Sequence, residues 1–96
     1  MYIKTELKGS NDVITKVFND NHKLHCDTGP AVYTSTVKEW FINGKRHRVD
    51  GPAILIVKDN FIRAEWWVDN VLHRDNKPAV IDSEGNVEYW KHGIKL

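Results

Sequence analysis

Ninety-six residues and 11.1 kDa hold one small domain, and at that size folding hides only about 60 to 65% of the unfolded surface. With 41% hydrophobic and 28% charged residues, the composition excludes a low-complexity disordered chain, and no apolar run approaches the roughly 18 residues a membrane span requires. Fourteen Lys and Arg against thirteen Asp and Glu leave a net charge of +1, too little to hold a polyanion by neutralising many phosphates.

Taken in chain order, Met1 to Leu7 is too apolar for a free tail and is expected to form a strand that caps the N-terminal end, within residues 1-12. Residues 13-96 then read as about three and a half copies of one unit. His25-Cys-Asp-Thr-Gly-Pro-Ala31, His47-Arg-Val-Asp-Gly-Pro-Ala53 and His73-Arg-Asp-Asn-Lys-Pro-Ala79 share His, Pro and Ala at identical offsets. Glu39-Trp-Phe-Ile-Asn-Gly44 and Glu65-Trp-Trp-Val-Asp-Asn70 precede the second and third of these, Glu88-Tyr-Trp-Lys-His-Gly93 closes the chain, and Val17-Phe-Asn-Asp-Asn-His22 is a degenerate opening copy. Ala53 to Val57 and Ile62 to Val68 are rich in β-branched and aromatic residues, and no segment carries a helical period. Asn43-Gly44, Asp69-Asn70 and His92-Gly93 stand where a two-residue hairpin turn needs two positive φ angles. Further reversals are expected near Asp59-Asn60 and Ser83 to Asn86, and Pro30, Pro52 and Pro78 should each open a strand or lie at an edge. The expected fold is all-β, a single domain of stacked antiparallel hairpins.

The segment Phe41-Ile-Asn-Gly-Lys-Arg-His-Arg-Val-Asp-Gly-Pro-Ala-Ile54 resembles a MORN-type repeat, in the variant with Trp, Asn-Gly and His-Arg-x-Asp-Gly-Pro-Ala blocks. That variant is common in bacteriophages, large DNA viruses and some bacteria, where related repeats are described as antitoxin-like. The resemblance implies successive hairpins in an extended, curved sheet, and binding to proteins or membrane surfaces rather than catalysis. Unit one departs from the pattern with Cys26 in place of Arg, and unit three with Lys77 in place of Gly.

Several polar residues recur. His25, His47 and His73, each followed by Asp27, Asp50 or Asp75, suggest acid-base chemistry. Their repetition favours a structural turn motif, because an active site is built once and a repeated residue solves a problem that every unit has. Asp27 and Asp75 can close Asx-turns, whereas Asp50 faces Pro52, which has no N–H, and is expected to bond His47, Arg48 or an earlier backbone donor. His25 beside Cys26 has a zinc-like flavour, but no second thiol or Cys-x-x-Cys accompanies it, so neither metal nor cofactor is expected. A lone cysteine and an N-terminus without a basic flank and apolar core point to an intracellular, cytoplasmic protein, in host cytoplasm if the source is viral.

The doublets Trp40-Phe41, Trp66-Trp67 and Tyr89-Trp90 must put one ring on each side of a sheet. Trp40, Ile42, Trp66 and Val68, with Phe18 and Tyr89 in register, read as the core. Phe41, Trp67 and Trp90, flanked by Glu39, Glu65 and Glu88, read as a half-exposed strip that offers a partner its aromatic anchors. Lys45, Arg46 and Arg48, with Arg74 from the next unit, form the one dense basic cluster and could meet a phosphate or an acidic patch. No nucleophile–base set or phosphate-cradling loop supports an enzyme. The reading is therefore a non-catalytic binding protein with a protein partner, an inhibitor by occlusion on the family analogy. A small nucleotide in an aromatic and Arg cleft, or self-assembly into a homo-oligomer, are the alternatives, and nucleic acid is disfavoured.

Overall fold

The computed structural model describes residues 1–9 and 11–96, and its secondary structure there is strand and turn without helix. β1 (Tyr2–Lys8), β2 (Asp12–Phe18), β3 (Val32–Tyr33), β4 (Val37–Glu39), β7 (Ile54–Lys58), β8 (Phe61–Glu65), β11 (Val80–Asp82) and β12 (Val87–Glu88) form one eight-stranded antiparallel sheet in that spatial order. Three short hairpins branch from it: β5 (Phe41–Ile42) with β6 (Lys45–Arg46), β9 (Trp67–Val68) with β10 (Val71–Leu72), and β13 (Trp90–Lys91) with β14 (Ile94–Lys95). Each unit is thus a longer hairpin in the sheet followed by a shorter one beside it.

The branch point is a single residue. The N–H of Val17, Trp40 and Trp66 still faces the sheet, donating at 2.7 Å to the carbonyls of Ala31, Ala53 and Ala79. Their carbonyls already face the short hairpin, accepting from His25, His47 and His73, and Tyr89 accepts from Leu96 in the same way. Ala31, Ala53 and Ala79 are fully buried at these crossings, which explains why the smallest chiral side chain recurs there.

The turns follow the chemistry of their residues. Asn43-Gly44, Asp69-Asn70 and His92-Gly93 all carry two positive φ angles, as the sequence leads one to expect. At Gly93 the requirement is doubled, because a Cβ there would also stand 3.3 Å from Cβ of Val71. β1 pairs along its whole length with β2 and stacks Tyr2 on Phe18 with ring centroids 4.9 Å apart, so the N-terminal segment forms the edge strand at one end of the sheet. The three prolines lie two residues ahead of their strands instead of opening them, leaving Ala31, Ala53 and Ala79 to donate the first cross-strand bond.

The buried hydrophobic residues, Val17, Ala31, Phe41, Ala53, Ala79 and Val80, make a thin core, with Asp82 the one buried charged residue among the described residues. Lys16, Val32, Glu39, Ile54, Glu65, Val80 and Glu88 stand opposite one another in succession and mark one face of the sheet, called inner here. Thr15, Tyr33, Lys38, Leu55, Ala64, Ile81 and Val87 mark the outer face.

A candidate interaction surface on the outer face

The inner face carries the aromatic column that the sequence reads as a half-exposed strip. Phe41 is only 8% exposed, and Trp67 and Trp90 are half-buried. Each indole N–H donates to the glutamate two residues earlier, Trp67 to Glu65 at 2.9 Å and Trp90 to Glu88 at 2.8 Å. Phe41 has no N–H, and Arg46, directly across β5–β6 from it, donates to Glu39 at 2.9 Å instead. The guanidinium of Arg46 also lies 5.2 Å from the Phe41 ring and 5.5 Å from that of Trp67. Of the half-exposed strip expected from Phe41, Trp67 and Trp90, only Phe41 departs, by being buried, and the glutamates beside them are each supplied with a donor from an indole or an arginine. Arg63 adds a 2.8 Å bond to Glu65, and that carboxylate holds the guanidinium pKa above its ordinary value.

Phe18 also changes sides. The first short turn is one residue longer than the others, since His25 follows Val17 by one position more than His47 follows Trp40, and this slip puts Val17 in the place of Trp40. A shift of one residue exchanges the faces. Phe18 belongs with Phe41, and Tyr89, 48% exposed, belongs to the outer face with Trp40 and Trp66.

The basic cluster is split by the same alternation. Arg46 is engaged on the inner side, whereas Arg48 lies 4.0 Å above the Trp40 ring and Arg74 3.8 Å above Trp66 on the outer side. Their Nη1 groups donate to the carbonyls of Pro52 and Pro78, at 3.1 Å in both cases. Arg48 Nε takes Asp50 at 3.2 Å, one of the partners expected for that aspartate. Only Lys45 stays exposed and free of these contacts, so the four residues do not converge on a shared anion.

The histidines are locks between units. Nδ1 of His25, His47 and His73 accepts the turn N–H of Asn43, Asp69 and His92, at 2.9, 3.1 and 2.9 Å. An accepting Nδ1 places the neutral ring's proton on Nε2. Asp27, at 2.9 Å, and Asp75, at 3.3 Å, stand against that nitrogen in their own units. Those carboxylates serve the imidazole instead of the Asx-turns expected of them. His73 also stacks on His92, with ring centroids 4.2 Å apart. Among the described residues no three His, Cys, Asp or Glu side chains gather as a metal-binding group, and no helix is long and apolar enough to cross a membrane.

What sequence reasoning missed is the outer face itself. Ile3, Leu7, Val13, Tyr33, Val57, Ile62, Val87 and Tyr89 are all exposed there, and Lys38 is the one charged side chain on its central row. The alternation within Ile3 to Leu7 was the available signal. Eight exposed large apolar side chains on one face are a concentration unusual on a solitary domain, where hydrophobic residues are normally scattered. No family model matches the chain, and no curated protein or solved structure is significantly similar to it.

Proposed function

We propose that this chain is a MORN-like repeat protein and a non-catalytic binding module that engages a protein partner through the outer face of its sheet, modulating it by occlusion. One observation carries the reading: eight large apolar side chains, from Ile3 on β1 to Tyr89 beyond β12, are exposed on that single face. Apolar and aromatic area with few charges is what the centre of a protein interface offers. The recurring histidines and aspartates support the same reading, since they are engaged in holding neighbouring hairpins together.

The test is capture from bacterial lysate with wild type and Ile62→Asp run side by side. Ile62 is 50% exposed on this face near the β7–β8 turn, so the substitution should leave the melting temperature within a few degrees of wild type. A partner held by wild type and lost by Ile62→Asp is the expected result. Equal retention by both proteins would place the binding surface elsewhere, and elution at twice the monomer mass, abolished by Ile62→Asp, would assign the face to self-association.

A further inference from the structure

Units two and three each build a sandwich on the outer face: a Trp ring below, an Arg guanidinium above, and a donated bond from that Arg to the Pro carbonyl of the same loop. Unit one has the backbone for it without the side chains. Val17 stands in the place of Trp40 and Trp66, Cys26 in that of Arg48 and Arg74, and among the described residues no side chain donates to the carbonyl of Pro30. Two departures nine residues apart therefore fall on one site, and both put a smaller side chain there.

The space they leave is a cleft of about 460 Å³, bounded by Ile3, Val17, Cys26, Gly29, Pro30 and Tyr33. Cavities that hold small molecules run from about 300 to 1,000 Å³ and combine an apolar lining with a few placed polar groups. Here the apolar surface comes from Ile3 and Tyr33 above the buried Val17, Thr28 and Lys38 add polar side chains to the lining, and the Pro30 carbonyl is an acceptor that no side chain among the described residues serves. We propose that this cleft binds a flat bicyclic aromatic ring bearing an N–H donor, of the indole class, as a substitute for the ring and the donor that the other units supply from their own chain. The ring would lie between Ile3 and Tyr33 above Val17, and its N–H would go to the Pro30 carbonyl. The cleft shares Ile3 and Tyr33 with the outer face, but the inference is drawn from the missing Trp and Arg and does not rest on the partner-binding reading. The ring can come from a free small molecule or from a tryptophan side chain presented by another polypeptide.

The experiment titrates free indole, the tripeptide Gly-Trp-Gly and benzofuran, which has the shape of indole without the N–H, into the full chain. Backbone amide shifts in heteronuclear NMR are followed, with the alkylation rate of Cys26, the chain's single thiol, as a second reporter. Indole should shift Thr28, Gly29 and Tyr33 saturably and slow alkylation, and benzofuran should bind roughly threefold to tenfold more weakly for want of one hydrogen bond. Tighter binding of the tripeptide would assign the ring to a polypeptide and tighter binding of indole to a small molecule, either supporting the cleft. The double variant Val17→Trp with Cys26→Arg reproduces the pair present in units two and three and should abolish the shifts. Cys26→Arg alone, judged folded by its melting curve, serves as the second blocking variant. Absence of a saturable shift, equal binding of benzofuran, or undiminished binding by a folded blocking variant would overturn the proposal.

Discussion

Replacing Trp67 by Phe removes the indole N–H that reaches Glu65 at 2.9 Å and leaves the ring's inner half in place. A hydrogen bond to a charged group contributes roughly 1.5 to 3 kcal/mol. The loss should sit at or below the low end of that range, about 1 to 2 kcal/mol, because Arg63 still serves the other carboxylate oxygen at 2.8 Å. For a domain of this size each kcal/mol moves the melting temperature by about 4 to 8 °C. Unit two suggests the repair: Phe41 already occupies the equivalent position, and Arg46, paired across the hairpin, supplies the donor to Glu39. Leu72 is paired across from Trp67 in the same register. A double-mutant cycle with Trp67→Phe and Leu72→Arg, read by urea unfolding, should therefore show favourable coupling of about 1 kcal/mol. Additive losses would mean that the arginine in unit two does not stand in for an indole, and an unchanged Trp67→Phe variant would mean that the glutamates are not held by the rings at all.

Two further outcomes follow from the geometry. His73→Ala removes both the acceptor for the His92 turn N–H and the ring stacked on His92, so it should lose about 1 to 2 kcal/mol in denaturant titration. His25→Ala, which lacks an analogous ring stack, should lose less. Asp82 accepts the N–H groups of Glu84 and Asn86 and the Asn86 side-chain amide, and these bonds, led by the Asn86 amide and aided by the charge of Arg63, hold its carboxyl below the ordinary value of 3.8. Because the folded pKa is the lower one, its stabilisation is complete above that ordinary value and vanishes as pH falls from there through the folded value. Melting temperatures taken across that window should fall more steeply for wild type than for Asp82→Asn, and parallel curves would refute the assignment.

The all-β antiparallel character and the three two-residue turns were legible because each rests on local chemistry. Asn43-Gly44 and its equivalents favour two positive φ angles whatever surrounds them, and Met1 to Leu7 has the alternation of a strand. Which face is the core was not legible, and the reason is specific. Both rings of a Trp-Phe or Trp-Trp doublet are apolar, so the decision fell to the neighbouring charges, and Glu39, Glu65 and Glu88 read as solvent markers. Those carboxylates lie inward because an arginine or an indole meets each one, a contact between residues that no spacing rule encodes. The longer first turn then moved Phe18 to the wrong column. Arg48 and Arg74 were legible as cations and illegible as covers, since stacking on Trp40 and Trp66 depends on a loop returning over its own unit.

The histidine locks also decide where this chain can be divided. His47 is encoded in one unit yet completes the turn at Asp69 in the next, and His73 does the same for His92. The modules of the folded protein are therefore offset from the modules of its sequence. A unit exchanged, deleted or duplicated at the sequence boundary would leave behind the imidazole that its turn requires and carry off one that belongs to its neighbour. Any graft that is to remain folded must move His47 together with the hairpin of Trp67 to Leu72, so that acceptor and turn arrive as one piece.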